Sequence, residues 1–219
     1  SSAPDSIQKL GGANSDIMLN NSLNYYNLDS FYRPSNGVSA LYFNTISPAT
    51  NDDNGYIKNV ITYSIYKTYK NINIFSFRTR IGNIFSLQDK ELAVEDKFSL
   101  GGSWLRGFDR FGVGPRERRT SYIGAENLIA AKFDYNRPIT GNNDNPIDIN
   151  LFTDIGSVFG NKVNPMYSKK SVRATYGFGI KFYSLIGPIG FSWGFPILKE
   201  DHDIERMFTF TVGFMNWNI

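Results

Sequence analysis

The sequence predicts an all-β protein, an antiparallel transmembrane β-barrel of which about nine strands are present. Three observations support this fold class. Apolar and polar residues alternate with a period of two along most of the chain, as they do in strands but not in helices. The apolar faces are broad and aromatic, whereas the polar faces are rich in Gly, Ser, Thr and Asn and poor in Lys and Glu. The connections are short at one end of the strands and long at the other.

The first four strands show this alternation with increasing regularity. Residues 18–28 and 38–46 are the less regular pair, and Pro34-Ser35-Asn36-Gly37 between them carries the residue types of a turn. Residues 56–69 place three isoleucines and a tyrosine on one apolar face. In residues 75–81, Phe, Thr and Ile alternate with Ser and Arg. Each segment therefore has one apolar and one more polar face, as a barrel wall requires.

The last five strands follow the same rule. In residues 129–136 and 147–154, apolar side chains alternate with a face that includes Lys, Asp and Asn. In residues 173–182, 188–195 and 208–214, the aromatic side chains share one face, and glycine or polar residues occupy the other. A helix would scatter these aromatic residues around its axis, so the period of two predicts strands.

The predicted connections fall into two groups. At one end they are short and comprise residues 31–37, 70–72, 137–146 and 185–188. At the other end they are longer and comprise residues 82–124, 158–171 and 196–206. This asymmetry is typical of bacterial outer-membrane barrels. The alternative is a soluble β-sandwich or lipocalin-type barrel with the aromatic residues in its core.

Composition excludes several functional classes. The 219 residues include no cysteine, so disulfides and thiolate metal sites are excluded, and His202 is the single histidine. We therefore predict no catalytic residue, no metal site and no cofactor, and we do not expect an enzyme. The net charge of +3 is too small to indicate a nucleic acid partner.

Two charged clusters are interpreted as loop residues, the first as a charged loop tip and the second as a solvated basic loop. One is the tip formed by His202 with its neighbours Asp201 and Asp203. The other is a basic loop with four arginines: Arg110, Arg116, Arg118 and Arg119.

The longest connection carries an ordered set of motifs. Leu100-Gly101-Gly102 is followed by Arg106-Gly107-Phe108 and then by Gly112-Val113-Gly114-Pro115. This run resembles the sixth extracellular loop of the BamA family of outer-membrane β-barrel assembly proteins. The resemblance extends from about residue 18 onward and includes Lys132-Phe133-Asp134, Phe152-Thr153-Asp154-Ile155-Gly156, Tyr176-Gly177-Phe178-Gly179, Gly187-Pro188-Ile189 and Phe208-Thr209-Phe210-Thr211-Val212-Gly213.

The resemblance implies a position within a larger barrel. The family has a sixteen-strand barrel preceded by POTRA domains, and this chain is similar to the C-terminal half of that barrel. Residues 1–17 are then a loop or disordered lead-in, and residues 18–219 are the C-terminal portion of the barrel domain. The long loop 82–124 is expected to fold into the lumen. Because nine strands leave two open edges, we expect an N-terminal barrel half and POTRA domains as partners.

The resemblance also assigns a site in the lumen. Arg106 corresponds to the family's loop arginine, within a loop motif that also includes Gly107, Phe108, Gly114 and Pro115. Asp134 and Asp154 correspond to its acidic partners on the wall, and Phe152 to a neighbouring aromatic residue. The alternative for Arg106 is an ordinary solvated loop arginine.

Strand parity supports the lumenal position of the two carboxylates independently. Asp134 is opposite in phase to Phe133, and Asp154 shares the phase of Asp148 and Asn150. The closing strand is expected to run over residues 208–219 and to include Phe208, Phe210 and Gly213.

The function implied by the resemblance is the folding and insertion of other outer-membrane proteins, in the bacterial outer membrane. The expected partners are the lipid bilayer and its lipopolysaccharide, unfolded outer-membrane protein clients and accessory lipoproteins of the assembly complex. Two alternatives remain: a translocation pore of the two-partner secretion type, and an inactive half-barrel fragment.

Overall fold

The computed structural model describes residues 17–49, 54–88, 91–118, 121–140, 146–161, 170–184 and 187–213. Its strands are β1 (Leu19–Leu28), β2 (Gly37–Ser47), β3 (Tyr56–Tyr69), β4 (Asn73–Ser86), β5 (Gly107–Phe108), β6 (Arg116–Arg118), β7 (Ser121–Tyr122), β8 (Asn127–Pro138), β9 (Ile147–Phe159), β10 (Arg173–Ser184), β11 (Gly187–Leu198), β12 (Glu205–Arg206) and β13 (Phe208–Val212). Within these ranges no helix has the length and apolar character needed to cross a membrane.

Nine of the strands form one antiparallel sheet, in the order β1-β2-β3-β4-β8-β9-β10-β11-β13. The four short strands lie outside it: β12 pairs with β5, and β6 pairs with β7. The predicted all-β fold with nine antiparallel strands is therefore confirmed. The sheet does not close, because β1 and β13 are its two ends, and it forms a partial barrel.

The two faces of the sheet differ as the alternation predicts. Large apolar side chains such as Phe133, Leu151 and Phe178 are about half exposed on the outer face. On the inner face, polar residues such as Asp134 and Asp154 are buried. An aromatic outer face and a polar inner face suit lipid outside and a polar lumen inside.

The long connection is displaced relative to the prediction: it begins five residues later, at residue 87, and ends two residues later, at residue 126. Gly82 and Gly124 were expected to bound it, but β4 continues to Ser86 and β8 begins at Asn127. Gly82 fits within a strand because the Phe98 ring packs onto it: a Cβ at this position would lie 2.6 Å from that ring. The connection is therefore residues 87–126.

The predicted closing strand is also longer than the observed one. β13 ends at Val212, and Gly213 follows it with a φ of +75°, in the left-handed region that favours glycine. The Gly213 amide still donates a hydrogen bond to the Pro188 carbonyl at 2.8 Å. Residues 214–219 of the predicted strand, like residues 1–16 of the predicted lead-in, lie outside the described residues.

The apolar core lies inside the lumen, between the long connection and the wall. Leu100, Leu105, Phe108 and Val113 of the connection are almost completely buried. They pack in one cluster with wall residues that include Val60, Leu128 and Val158. Since burying an apolar side chain contributes about 1.5–3 kcal/mol, this cluster is a major reason for the connection to stay folded inward.

A second contact crosses the sheet at the opposite end, where the short connections lie. Arg33 in the β1–β2 turn donates from Nε and Nη2 to the Asp148 carboxylate on β9, at 3.1 and 2.5 Å. Its guanidinium also lies 5.3 Å from the centre of the Tyr183 ring on β10. β2 and β9 are separated by three strands in the sheet, so this contact requires strong curvature.

Candidate functional site: the loop arginine in the lumen

The wall beneath the long connection is built by β8 and β9. Asp134 of β8 lies opposite Phe152 of β9, and Asn136 lies opposite Asn150. Asp154, two residues beyond Phe152, lies opposite Lys132. Because side chains alternate along strands, these residues all point to the inner face.

Arg106 of the long connection enters this wall with its full hydrogen-bonding fork. Nε and Nη2 donate to the two carboxylate oxygens of Asp154, at 2.7 and 2.5 Å. Nη1 donates to Asp134 Oδ1 at 2.9 Å and to Asn150 Oδ1 at 3.2 Å. The backbone amide of Arg106 also donates to Asp154, at 3.0 Å. A planar guanidinium can satisfy two carboxylates in this way, whereas a lysine ammonium cannot hold the same geometry.

The arginine is enclosed as well as hydrogen-bonded. Arg106 is 5% exposed and Asp154 is fully buried. The guanidinium carbon lies 3.4 Å from the centre of the Phe152 ring, in the geometry of a cation–π contact. Burial alone would lower the pKa of Arg106, but the charges of Asp134 and Asp154 raise it above the ordinary value. The side chain is therefore held permanently charged.

Glycines make room for the loop on the neighbouring strands. A Cβ on Gly194 of β11 would lie 2.6 Å from the Gly107 nitrogen and 2.7 Å from the Arg106 carbonyl carbon. A Cβ on Gly177 of β10 would lie 2.3 Å from the Phe152 ring. Gly107 itself has a φ of +96°, which places it in the left-handed region. Gly107 and Gly194 thus allow the loop backbone to approach the wall closely, and Gly177 makes room for the Phe152 ring.

The other predicted loop residues have different positions. Phe108 is fully buried in the lumenal core. Gly114, with a φ of +130°, packs against Val158 and Tyr122, and the Pro115 carbonyl accepts a hydrogen bond from Ile123 where the β6–β7 hairpin starts. These residues shape the loop but do not contact the guanidinium.

The predicted closing-strand residues also lie outside the arginine site. Phe208 and Phe210 are on the outer face, roughly half exposed, and Gly213 lies beyond the strand end. The structure thus brings Arg106, Asp134, Asp154 and Phe152 together, and places the closing strand apart from them.

Two site residues were missed from the sequence. Asn150 of β9 links to two residues of the neighbouring strand β8: its side-chain amide donates to Asp134 Oδ1 and to Asn136 Oδ1, each at 3.0 Å. Its phase, shared with Asp154, was the available signal. Lys132 donates from Nζ to the carbonyl of Ser103 and so fixes the loop just before Arg106.

Each of the two charged clusters contains a buried residue, although Arg110 is exposed as expected; Arg119 lies outside the described residues. Arg116 is 1% exposed, and its Nη2 donates to the Phe111 carbonyl at 2.5 Å. His202 is 8% exposed, and the side chain of Asp203 is fully buried against Arg173. Hairpin and loop folding enclose these side chains, which a charge pattern along the sequence does not reveal.

The site is suited to holding a loop in place. A lumenal cavity of about 260 Å³ remains beside it, and its lining includes Arg78, Lys132 and Lys181. Within the described ranges, no group of three or more His, Cys, Asp or Glu side chains has an arrangement for holding a metal ion. The chemistry of the arginine and its carboxylates is ionic pairing, which stabilises a conformation.

Comparisons with known proteins match this chain to a superfamily domain and to individual relatives. The model of the Omp85 superfamily domain matches residues 2–215. The outer membrane protein assembly factor BamA of Neorickettsia risticii is 23% identical over 192 residues, which covers 84% of this chain and 25% of that protein. A SAM50-like protein of Schizosaccharomyces pombe is 28% identical over 138 residues, which covers 60% of this chain and 29% of that protein.

A solved structure shows a similar fold. The crystal structure of BamA from Haemophilus ducreyi lacking POTRA domains 1–3 matches with a TM-score of 0.75 and 24% identity, and the match covers 88% of this chain and 41% of that chain. The present chain therefore spans less than half the length of each of these proteins.

Proposed function

Because this chain belongs to the Omp85 superfamily, we propose that it forms the C-terminal part of the barrel of an outer-membrane insertase. This insertase folds β-barrel proteins and inserts them into the outer membrane, an activity suggested by the BamA and SAM50-like relatives. The observation that supports the proposal most strongly is the docked loop arginine, which gives the sequence resemblance at Arg106-Gly107-Phe108 a physical role.

The location follows from the family. The chain is part of an outer-membrane β-barrel, and the predicted bacterial outer membrane is confirmed. The predicted resemblance to the C-terminal barrel portion of the BamA family is confirmed as well.

The proposed mechanism uses strand pairing and no covalent chemistry, and we propose on that basis that the protein is not an enzyme. β13 pairs with β11 over five residue pairs, from Ile189–Val212 to Trp193–Phe208, whereas β11 is twelve residues long. Its other edge has no partner strand among the described residues. A short, one-sided strand pairing gives an edge on which a client strand can be added by β-augmentation.

The partners are proposed from the same family membership. They are the bilayer with its lipopolysaccharide, unfolded outer-membrane protein clients, accessory lipoproteins, and the N-terminal barrel half with its POTRA domains. Among the described residues, the outer edges of the two end strands, β1 and β13, have no partner strand, which supports the N-terminal barrel half, because open edges in hydrocarbon require partners.

A reconstitution experiment tests the proposal. The full-length protein that contains this chain is placed in liposomes, and the folding of an added β-barrel client is followed by its protection from protease. We expect the client to fold faster than in liposomes without the protein. Equal rates in the two kinds of liposomes would contradict the insertase function.

Crosslinking distinguishes insertion from passage through the lumen. A photoreactive residue at Phe210 reports on the closing-strand edge, and one at Lys181 reports on the lumen. We expect crosslinks to the client at Phe210. Crosslinks at Lys181 alone would support a secretion pore. The loop core is packed inside that lumen, so passage of a client would require it to move.

A further inference from the structure

The segment that precedes the closing strand is bound to the docked loop. β12 pairs with β5, so that Glu205 lies opposite Phe108 and Arg206 opposite Gly107. The ladder continues beyond both strands: the Asp109 amide donates to the Ile204 carbonyl at 2.9 Å. The closing segment therefore contacts the loop directly beside Arg106.

The contact is close and specific in shape. The Ile204 amide donates to the Gly112 carbonyl at 3.0 Å, and a Cβ on Gly112 would lie only 2.5 Å from the Ile204 carbonyl oxygen. Arg206 and Asp109 add an exposed ion pair at 3.6 Å, which contributes little by itself. Backbone pairing and the missing side chain of Gly112 thus define the contact.

A buried ion pair anchors the same segment to the wall. Arg173 of β10 donates from Nε and Nη2 to the Asp203 carboxylate at 2.9 and 3.0 Å, and both side chains are almost completely buried. Arg173 also donates to the carbonyl and hydroxyl of Ser171. The position of Asp203, one residue before the ladder to the loop, is therefore fixed.

Only Met207 separates β12 from the closing strand. Its carbonyl accepts a hydrogen bond from the Gly194 amide at 2.8 Å, and β13 begins at the next residue, Phe208. If β13 continued backward in the same register, Arg206 would pair with Phe195 and share the outer face with Phe208. A charge on that face is unfavourable in lipid. Because Arg206 pairs with the loop in β12 instead of continuing β13, the closing strand starts at Phe208.

We propose that β12 couples the docked loop to the closing strand. When Arg106 leaves its carboxylates, β12 loses its partner, and the start of β13 is loosened. Conversely, when the closing strand moves, the pairing of β12 with β5 is disturbed and the docking of the loop is weakened. If the insertase function proposed above holds, on which this part rests, the docked loop regulates the strand edge that is offered to a client.

Coupling of this kind must be reciprocal, which gives a sharp test. Hydrogen–deuterium exchange is measured on the full-length protein in detergent, for wild type, Arg106→Ala and Asp203→Asn. We expect amide exchange in residues 204–212 to become at least tenfold faster in Arg106→Ala. We expect exchange in residues 107–109 to accelerate likewise in Asp203→Asn.

Two further variants separate coupling from general loss of structure. Lys199→Ala removes an exposed ion pair to Glu205 and is the matched control, for which we expect no change. Gly112→Ala places a methyl group against the Ile204 carbonyl oxygen and against the Asp109 backbone within the loop, and it leaves both buried ion pairs in place. If the amides of β3 also accelerate in Asp203→Asn, Gly112→Ala decides: faster exchange in residues 208–212 supports the coupling.

Unchanged exchange of residues 208–212 in both Arg106→Ala and Gly112→Ala would overturn the inference. The measurement requires no client, so its result is independent of the insertion assay. A protein that inserts clients without coupled exchange refutes the coupling alone. Coupled exchange without insertion refutes the insertase function alone.

Discussion

Replacing Arg106 by alanine is expected to release the long loop from the lumenal wall while the sheet stays folded. The substitution removes four side-chain hydrogen bonds to Asp154, Asp134 and Asn150, and the contact with the Phe152 ring. It also leaves two buried carboxylates without their common cation. Breaking a buried pair by removing one partner costs about 3–5 kcal/mol. At 1.4 kcal/mol per factor of ten, the undocked population rises roughly 100- to 4,000-fold.

Arg106→Lys separates charge from geometry. A lysine keeps the positive charge but cannot bond both oxygens of Asp154 and reach Asp134 at the same time. We therefore expect an undocked population between those of wild type and Arg106→Ala. Arg110→Ala is the matched control, because Arg110 is an exposed arginine of the same loop.

Limited proteolysis of the full-length barrel measures this effect. The rate of cleavage within residues 87–126 reports the undocked population, and circular dichroism reports the strand content. We expect faster cleavage in the order wild type, Arg106→Lys, Arg106→Ala, with equal strand content. Equal cleavage of wild type and Arg106→Ala would show that the ion pair does not hold the loop, and the reasoning from its burial would be wrong.

Three further predictions concern the surroundings of the site. Gly194→Ala places a methyl group against the loop backbone and is expected to destabilise docking by about 1–3 kcal/mol, measured as faster proteolysis, whereas Gly190→Ala meets only a hydroxyl and should have a smaller effect. Arg33→Ala removes the ion-pair partner of the buried Asp148 carboxylate, which keeps its hydrogen bond with Tyr183, and should lower the free energy of unfolding by about 1.5–3 kcal/mol in urea titrations; no change would contradict the contact. Burial keeps the pKa of His202 below its ordinary value, so the unfolded loop binds more protons, and the protection of residues 199–204, taken relative to the intrinsic exchange rate at each pH, should fall as pH falls below about 6.5; His202→Asn should abolish that loss of protection.

The strands and the inner face were predictable because the alternation of apolar and polar residues with a period of two can be read from a single sequence. Asp134 and Asp154 occupy the inner face as their phase predicts, since parity depends only on neighbours along the chain. The pairing with Arg106 required the family resemblance, because a loop has no period from which its path follows. The predicted start of the long loop, at Gly82, is wrong because Gly82 forms part of a strand under the Phe98 ring.

The remaining contacts depend on curvature and register, which a single sequence does not fix. Arg33 and Asp148 are 115 residues apart, and they meet only because the sheet curls. The Arg173–Asp203 pair depends on the path of the loop after β11, so the sequence shows Asp203 only as part of a charged loop tip, although its side chain is buried. The position of Asp203 just before β12 becomes informative only once the pairing of β12 with β5 is known.

The contact between Arg33 and Asp148 has a mechanical consequence for the wall. It acts as a chord across an arc of strands, from the β1–β2 turn to β9, and flattening that arc requires the two charged groups to separate. The arc from β2 to β10 is therefore stiffened, because the Arg33 guanidinium also contacts the Tyr183 ring of β10, whereas β11 and β13 lie beyond the chord. Changes in barrel radius are consequently concentrated in these last strands, and the compliance of the wall is unequal around its circumference.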